Sequence, residues 1–399
     1  MTHDPVPPLV APGPPLAADE LTRYSRHLLL PGIGELGQRR LCNARVCVVG
    51  AGGLGAPVLL YLAAAGVGRL GVVDADNVEL SNLQRQVIHG VADVGHPKVA
   101  SAAASVRALD PGVDLVLHHT RLAADTVDLL AGYDLVIDGT DNFPTRYLVN
   151  DACVRMGLPE VWGSVFRFDA QVTVFWGRPP SGSGVAPVQL RDLFPAAPPD
   201  GSVPSCAEGG VLGSLCGQVG SLMATEAIKL ITGAGRPLLG RVLVLDALAG
   251  TWTEVPLRAD VAPFSVSGLG SSPVADDSRS AASDADQGTV RTVSPRDLAR
   301  RLAGRGPADD FTLVDVREPN ERDIVTIPGA VGVPLGTLLD GRGGELVPRD
   351  RPVVLYCRSG VRSEKAARVL LASGHPDVAH LAGGVLAWVD QVDPSLPRY

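Results

Sequence analysis

The sequence predicts an α/β protein in two units: a larger one built on a mostly parallel sheet, and a smaller α/β unit behind a linker. Three observations predict it. Short apolar runs at residues 44–49, 69–73, 134–137 and 242–245 alternate with helix-like segments such as 56–65, the order that builds a largely parallel sheet. A glycine cluster, Gly50, Gly52, Gly53 and Gly55, stands between the first run and the first helix. Composition then breaks at residues 265–289, rich in serine and aspartate and without an aromatic residue, and a second alternation begins after it. At 399 residues and 45% hydrophobic content, the chain has enough material for two or three cores.

Residues 1–19 are Pro-rich and read as a disordered leader, because such sequence buries too little surface to offset ordering. They lack the basic start and apolar run of a targeting peptide, so the cytoplasm is the default location. Ordered structure is expected from Glu20, and the larger unit spans 20–264. Residues 46–68 carry no charge and are long enough on paper to cross a bilayer. Their crowded glycines suit a strand-to-helix turn better than a lipid-facing helix, so no membrane span is expected. A net charge of −8 argues against sequence-independent binding to nucleic acid, which needs a surplus of Lys and Arg facing the phosphates. Small molecules and proteins are the expected partners. The six cysteines form no CxxC pair; they read as reduced, with no zinc site.

The run Val48-Val49-Gly50-Ala51-Gly52-Gly53-Leu54-Gly55, with Asp74 and Asp76 ending the next strand, fits GxGxxG. In that pattern amides at a helix start receive phosphate and a later acid holds a ribose. Taken alone it suits an NAD-dependent dehydrogenase. The residues beyond Asp76 point elsewhere: Ser81-Asn82-Leu83-Gln84-Arg85-Gln86, then Lys98, one of three lysines against 32 arginines. Several cationic and amide donors around one phosphate group suit adenylyl transfer, where charge builds on the α-phosphate and on departing pyrophosphate. Asp138-Gly139-Thr140-Asp141-Asn142 ends another strand, where open α/β sheets bind ligands. Asp141 either holds magnesium or caps the following helix.

Taken together, Arg23-Tyr24-Ser25-Arg26, the glycine loop, residues 81–86, Lys98, Thr140-Asp141-Asn142 and residues 240–248 resemble the adenylating enzymes that activate ubiquitin-like sulfur-carrier proteins, typified by MoeB and ThiF. The resemblance covers residues 20–262 and implies a Rossmann-like domain that uses ATP and Mg2+. Carried over by position, it implies that Gly50, Gly52, Gly53 and Gly55 cradle the nucleotide and Asp74 binds ribose. Asn82, Arg85 and Lys98 would contact phosphates, and Asp141, beside Asn142, would organise the Mg2+. Arg26 would reach the neighbouring subunit's nucleotide, which implies a homodimer. MoeB-type relatives hold structural zinc with two CxxC pairs; neither exists here, so stabilisation without zinc is expected.

Two cysteines stand out. Cys206, in Pro204-Ser205-Cys206-Ala207-Glu208-Gly209-Gly210, resembles the loop cysteine that links covalently to the carrier in these enzymes; the competing reading is a small buried apolar residue. Cys357 ends the run 353–356 and opens Arg358-Ser359-Gly360-Val361-Arg362-Ser363, after which 364–372 reads as a helix. Inward amides and two arginines there suit a thiolate and a persulfide anion. Cysteine-dependent phosphatases place arginine six positions after the nucleophile; here Ser363 holds that place, so the tighter loop favours sulfur over a tetrahedral phosphate.

Residues 290–399 thus resemble a rhodanese sulfurtransferase, with further matches at 313–318, 327–330 and 381–388. The whole chain resembles fused adenylyltransferase–sulfurtransferase proteins. That implies ATP-dependent adenylation of a carrier's C-terminal carboxylate, then sulfur transfer to give a thiocarboxylate for molybdopterin, thiamine or cysteine synthesis. Thiosulfate or a cysteine desulfurase would supply the sulfur. Two other readings stay open from the residues: an NAD-dependent oxidoreductase with an appended sulfurtransferase, and a non-catalytic scaffold that docks carrier proteins.

Overall fold

The computed structural model of the protein describes residues 6–198, 209–259, 290–304, 311–340 and 346–398. The chain divides into two compact units, Met1–Ser272 and Pro273–Tyr399. The dividing point falls within the expected linker 265–289, which lies outside the described residues, as does Cys206.

The larger unit runs α1 (Ala18–Arg23), α2 (Ser25–Leu28), α3 (Gly34–Asn43), β1 (Arg45–Val49), α4 (Gly55–Ala64), β2 (Arg69–Val73), α5 (Lys98–Leu109), β3 (Asp114–His118), β4 (Leu135–Asp138), α6 (Phe143–Met156), β5 (Glu160–Phe166), β6 (Asp169–Phe175), α7 (Leu190–Leu193), α8 (Gly213–Thr232), β7 (Arg241–Asp246) and β8 (Thr251–Pro256). Its sheet has the order β3-β2-β1-β4-β5-β6-β7-β8. The first five strands in that order are parallel and the rest antiparallel. Strand order reverses between β1 and β4, so the loops leaving those two strands diverge and open a crevice at their carboxyl ends. The strands β1, β2 and β4 are buried along nearly their whole length, as parallel strands covered on both faces must be.

One expectation fails here. Residues 6–17 of the supposed disordered leader pack on the unit. Val10 is buried, Leu9 donates its amide to the Leu230 carbonyl at 2.9 Å, and Arg39 donates to the Gly13 carbonyl at 2.7 Å. Proline removes donors and stiffens the chain, so the segment has little entropy to lose and its free carbonyls find donors on α3.

The smaller unit contains β9 (Arg291–Val293), α9 (Pro295–Ala303), β10 (Thr312–Asp315), α10 (Pro319–Ile324), β11 (Val331–Gly332), α11 (Leu335–Leu339), β12 (Val353–Tyr356), α12 (Val361–Ala372), β13 (Val378–Leu381) and α13 (Gly384–Gln391). Its sheet is parallel, in the order β11-β10-β12-β13-β9, and β12 is central. Helix α12 starts three residues before the expected 364, so Val361, Arg362 and Ser363 form its first turn. Among the described residues no helix is long and apolar enough to cross a membrane.

Candidate functional sites

The crevice between β1 and β4 is a cleft of about 340 Å³, and it gathers Gly50, Gly52, Gly53, Asp74, Arg85, Lys98, Asp141 and Asn142. Gly50 turns the chain at φ +94. At Gly55 a Cβ would lie 1.8 Å from the Gly50 carbonyl oxygen. Gly55 therefore does not line the cleft; it lets helix α4 begin close enough to aim its amides inward.

Asp74 is anchored: its carboxylate accepts the amides of Ala51 and Asp76, both at 2.8 Å. The Ala51 carbonyl is held from the other side. His89, buried beneath the loop, reaches it with Nε2 at 3.1 Å while Nδ1 lies 2.8 Å from Ser101 Oγ. A carbonyl only accepts, so Nε2 carries the proton and Nδ1 accepts from the serine. Burial lowers the His89 pKa, which keeps this neutral arrangement.

Lys98 opens α5 with a side chain only 9% exposed, its ammonium 2.9 Å from Asp76. That partner is needed, because a helix N-terminus repels a cation. Asn142, not Asp141, caps α6, with its Oδ1 accepting the Thr145 amide at 3.0 Å. The capping alternative for Asp141 is thereby removed, and Asp141 stays exposed on the cleft wall. The Thr140 turn before it is clamped twice: Asp138 Oδ1 accepts its amide at 2.9 Å, and Arg146 donates to its carbonyl at 3.0 Å. Arg146 in turn lies 5.4 Å over the rings of both Phe143 and Trp162. Burial raises the pKa of Asp138, opposed by Arg146.

Asn82 and Arg26 are not among the residues that line this cleft. Asn82 is buried, and its Oδ1 accepts the Glu79 amide at 3.1 Å. It shapes the short turn that leads to Arg85 and Gln86, which do line the cleft. Arg26 sits exposed on α2, outside its own chain's cleft. Sequence reasoning also passed over wall residues. Gln86 is buried with no partner for its Oε1 among the described residues, an acceptor suited to an amine or hydroxyl of a ligand. Cys216, in the first turn of α8, faces Gly53 so closely that a Cβ there would meet its sulfur at 2.9 Å.

In the smaller unit, Cys357 follows the central strand and is 1% exposed. Its sulfur accepts the Gly360 amide at 3.1 Å, and Gly360 adopts φ +107 to turn that amide inward. Ser363 closes the loop by donating to the Gly360 carbonyl at 2.9 Å. The Cys357 and Arg358 carbonyls accept amides from the start of α13, so the loop is tied on both sides. Ser359 and Val361 are exposed at its rim. Arg362 departs from the expected cationic cradle: it makes a bidentate pair with Glu321, at 2.7 and 2.6 Å.

Burial alone would raise the Glu321 carboxyl, but the Arg362 hydrogen bonds and charge outweigh it and lower its pKa. The pair's stabilisation is therefore full above the ordinary value of 4.5 and lost as pH falls through the lowered native value. Glu321→Gln should cost about 2 kcal/mol at neutral pH. In melts against pH, its deficit relative to wild type should vanish under acid conditions; a pH-independent gap would contradict the assignment.

Residues 24–262 match the ThiF family and 294–391 the rhodanese-like domain. The chain is 51% identical, over 99% of each chain, to the probable adenylyltransferase/sulfurtransferase MoeZ of Mycobacterium tuberculosis. It is 40% identical to the adenylyltransferase and sulfurtransferase MOCS3 of Bos taurus, over 98% of this chain and 90% of that one. A crystal structure of E. coli MccB with ATP shares the fold, with a TM-score of 0.52 at 21% identity over 60% of this chain and 73% of that one. With the cleft and the cysteine loop each lying inside a matched region, the chain belongs to the ThiF family and carries a rhodanese-like domain behind it, the arrangement of the fused adenylyltransferase/sulfurtransferases.

Proposed function

We propose that the cleft binds ATP and adenylates the C-terminal carboxylate of a ubiquitin-like sulfur-carrier protein, and that Cys357 supplies the sulfur that turns the product into a thiocarboxylate. The observation that carries this reading is the convergence of glycine-loop amides, Arg85, Lys98 and Asp141 on one crevice, a donor set suited to phosphates in transfer. A carboxylate oxygen of the carrier attacks the α-phosphorus and pyrophosphate leaves; Lys98 and Arg85 offset the charge that develops. Asp141 is the carboxylate suited to hold Mg2+ on the phosphates, where it would supply further charge neutralisation. Asp74 would accept from the ribose hydroxyls.

The terminal sulfur of a Cys357 persulfide then attacks the acyl carbon and AMP departs, leaving an acyl disulfide. A second thiolate, for which Cys206 is the candidate, attacks the Cys357 sulfur; thiocarboxylate leaves with the electron pair and a disulfide remains for an external thiol to reduce. Tethering the two units gives the persulfide an effective concentration of roughly millimolar at the adenylate. Exposed Arg26 is assigned to a second copy's nucleotide, in a homodimer. The test is carrier-dependent exchange of labelled pyrophosphate into ATP, followed by mass measurement of the carrier. Absence of exchange with every carrier and with Mg2+ present would remove the reading.

His89 supports this site without touching the nucleotide. His89→Ala frees the Ala51 carbonyl and is expected to raise KM for ATP about tenfold with a smaller effect on kcat. His89→Gln, which keeps a donor, should recover part of the loss; equal KM values in all three proteins would contradict the role.

A further inference from the structure

Arg362 of the Cys357 loop has a fixed acidic partner. Both terminal nitrogens of Arg362 donate to the two oxygens of Glu321, whose side chain is 9% exposed on α10. Glu321 is itself braced. Its backbone carbonyl accepts from Arg317 Nη1 at 3.2 Å, and Arg317, fully buried, holds Asp315 through Nε at 2.9 Å and Nη2 at 2.6 Å. A carboxylate held this way is a permanent counter-charge, unlike a mobile surface partner. Beside the pair, Val361 is 61% exposed at the loop's mouth, an apolar contact for whatever brings sulfur.

We propose that Glu321 sets the class of sulfur donor: by neutralising Arg362 it makes the Cys357 loop accept a persulfide, R–S–SH, in preference to dianionic thiosulfate. The inference rests on Cys357 as the sulfur-bearing thiol. With either donor the Cys357 thiolate attacks the outer sulfur, and a new S–S bond forms as the donor's S–S bond breaks. From thiosulfate the electron pair leaves on sulfite, so two negative charges must be carried in beside a thiolate and two carried out. From a persulfide the pair leaves on R–S⁻, the proton stays on the transferred sulfur, and one negative charge is present throughout. Compensating Arg362 therefore penalises the first route more than the second. An exposed valine at the rim also offers contact to an organic R group and nothing to an inorganic anion.

The experiment loads full-length protein in single turnovers with thiosulfate or with an uncharged alkyl persulfide, and follows alkylated Cys357 by mass spectrometry for the gain of one sulfur atom. Glu321→Gln is expected to raise the thiosulfate-to-persulfide rate ratio about tenfold, since one cation is released toward a dianion. That rise should shrink in high salt, where exposed charge is screened. Combining Glu321→Gln with Arg362→Gln should return the ratio to near its wild-type value. A ratio unchanged by Glu321→Gln, or a parallel fall with both donors, would show that the pair only shapes the loop and would overturn the proposal. A wild-type Cys357 that gains sulfur from neither donor would remove the underlying reading as well.

Discussion

Lys98→Ala should lower pyrophosphate exchange by about 10³-fold, the scale of removing a positioned donor from a developing oxyanion. The ammonium sits 9% exposed at the head of a helix, 2.9 Å from Asp76, so it is already aimed and largely dehydrated before a nucleotide arrives. Its removal deletes the charge facing the phosphates and leaves Asp76, an acid, on the cleft wall. Both changes act on the transition state more than on nucleotide binding, so kcat should fall more steeply than KM rises. Lys98→Arg should recover little, because a planar guanidinium does not fit the position of a compact ammonium. Exchange within about threefold of wild type in Lys98→Ala would count against the assigned role.

The second large effect separates the two units. Cys357→Ala is expected to keep exchange within about twofold of wild type and to lower thiocarboxylate formation by at least about 10³-fold, as loss of a covalent nucleophile does. The physical reason is that the thiol is held by its own local structure, the Gly360 amide at 3.1 Å and the Ser363 closure, in a unit with its own core. Parallel measurement of exchange and carrier mass on one preparation checks both halves. Undiminished thiocarboxylate from Cys357→Ala would transfer the sulfur-carrying role to another thiol.

Much of the fold was readable from local pattern. The runs 69–73 and 353–356 coincide with β2 and β12, because strands buried on both faces are continuous apolar stretches bounded by turn residues. The glycine loop and the Cys357 loop were legible for a similar reason: each is a short segment whose conformation rests on its own backbone. GxGxxG alone did not distinguish a dinucleotide from ATP. The added donors at Arg85 and Lys98 did.

The sequence by itself therefore determined the two-unit α/β plan and the position of the two loops, since both depend on neighbours a few positions away. The tertiary structure alone decided which groups meet. Lys98 finds Asp76 22 positions earlier, Arg362 finds Glu321 41 positions earlier, and the leader finds Leu230 in α8. It also set Asn82 Oδ1 on the Glu79 amide and left Asp141 open by giving the cap to Asn142. The partner of a charge or an amide is set by how helices and strands pack, and residues within hydrogen-bonding reach in space carry no mark of it along the chain.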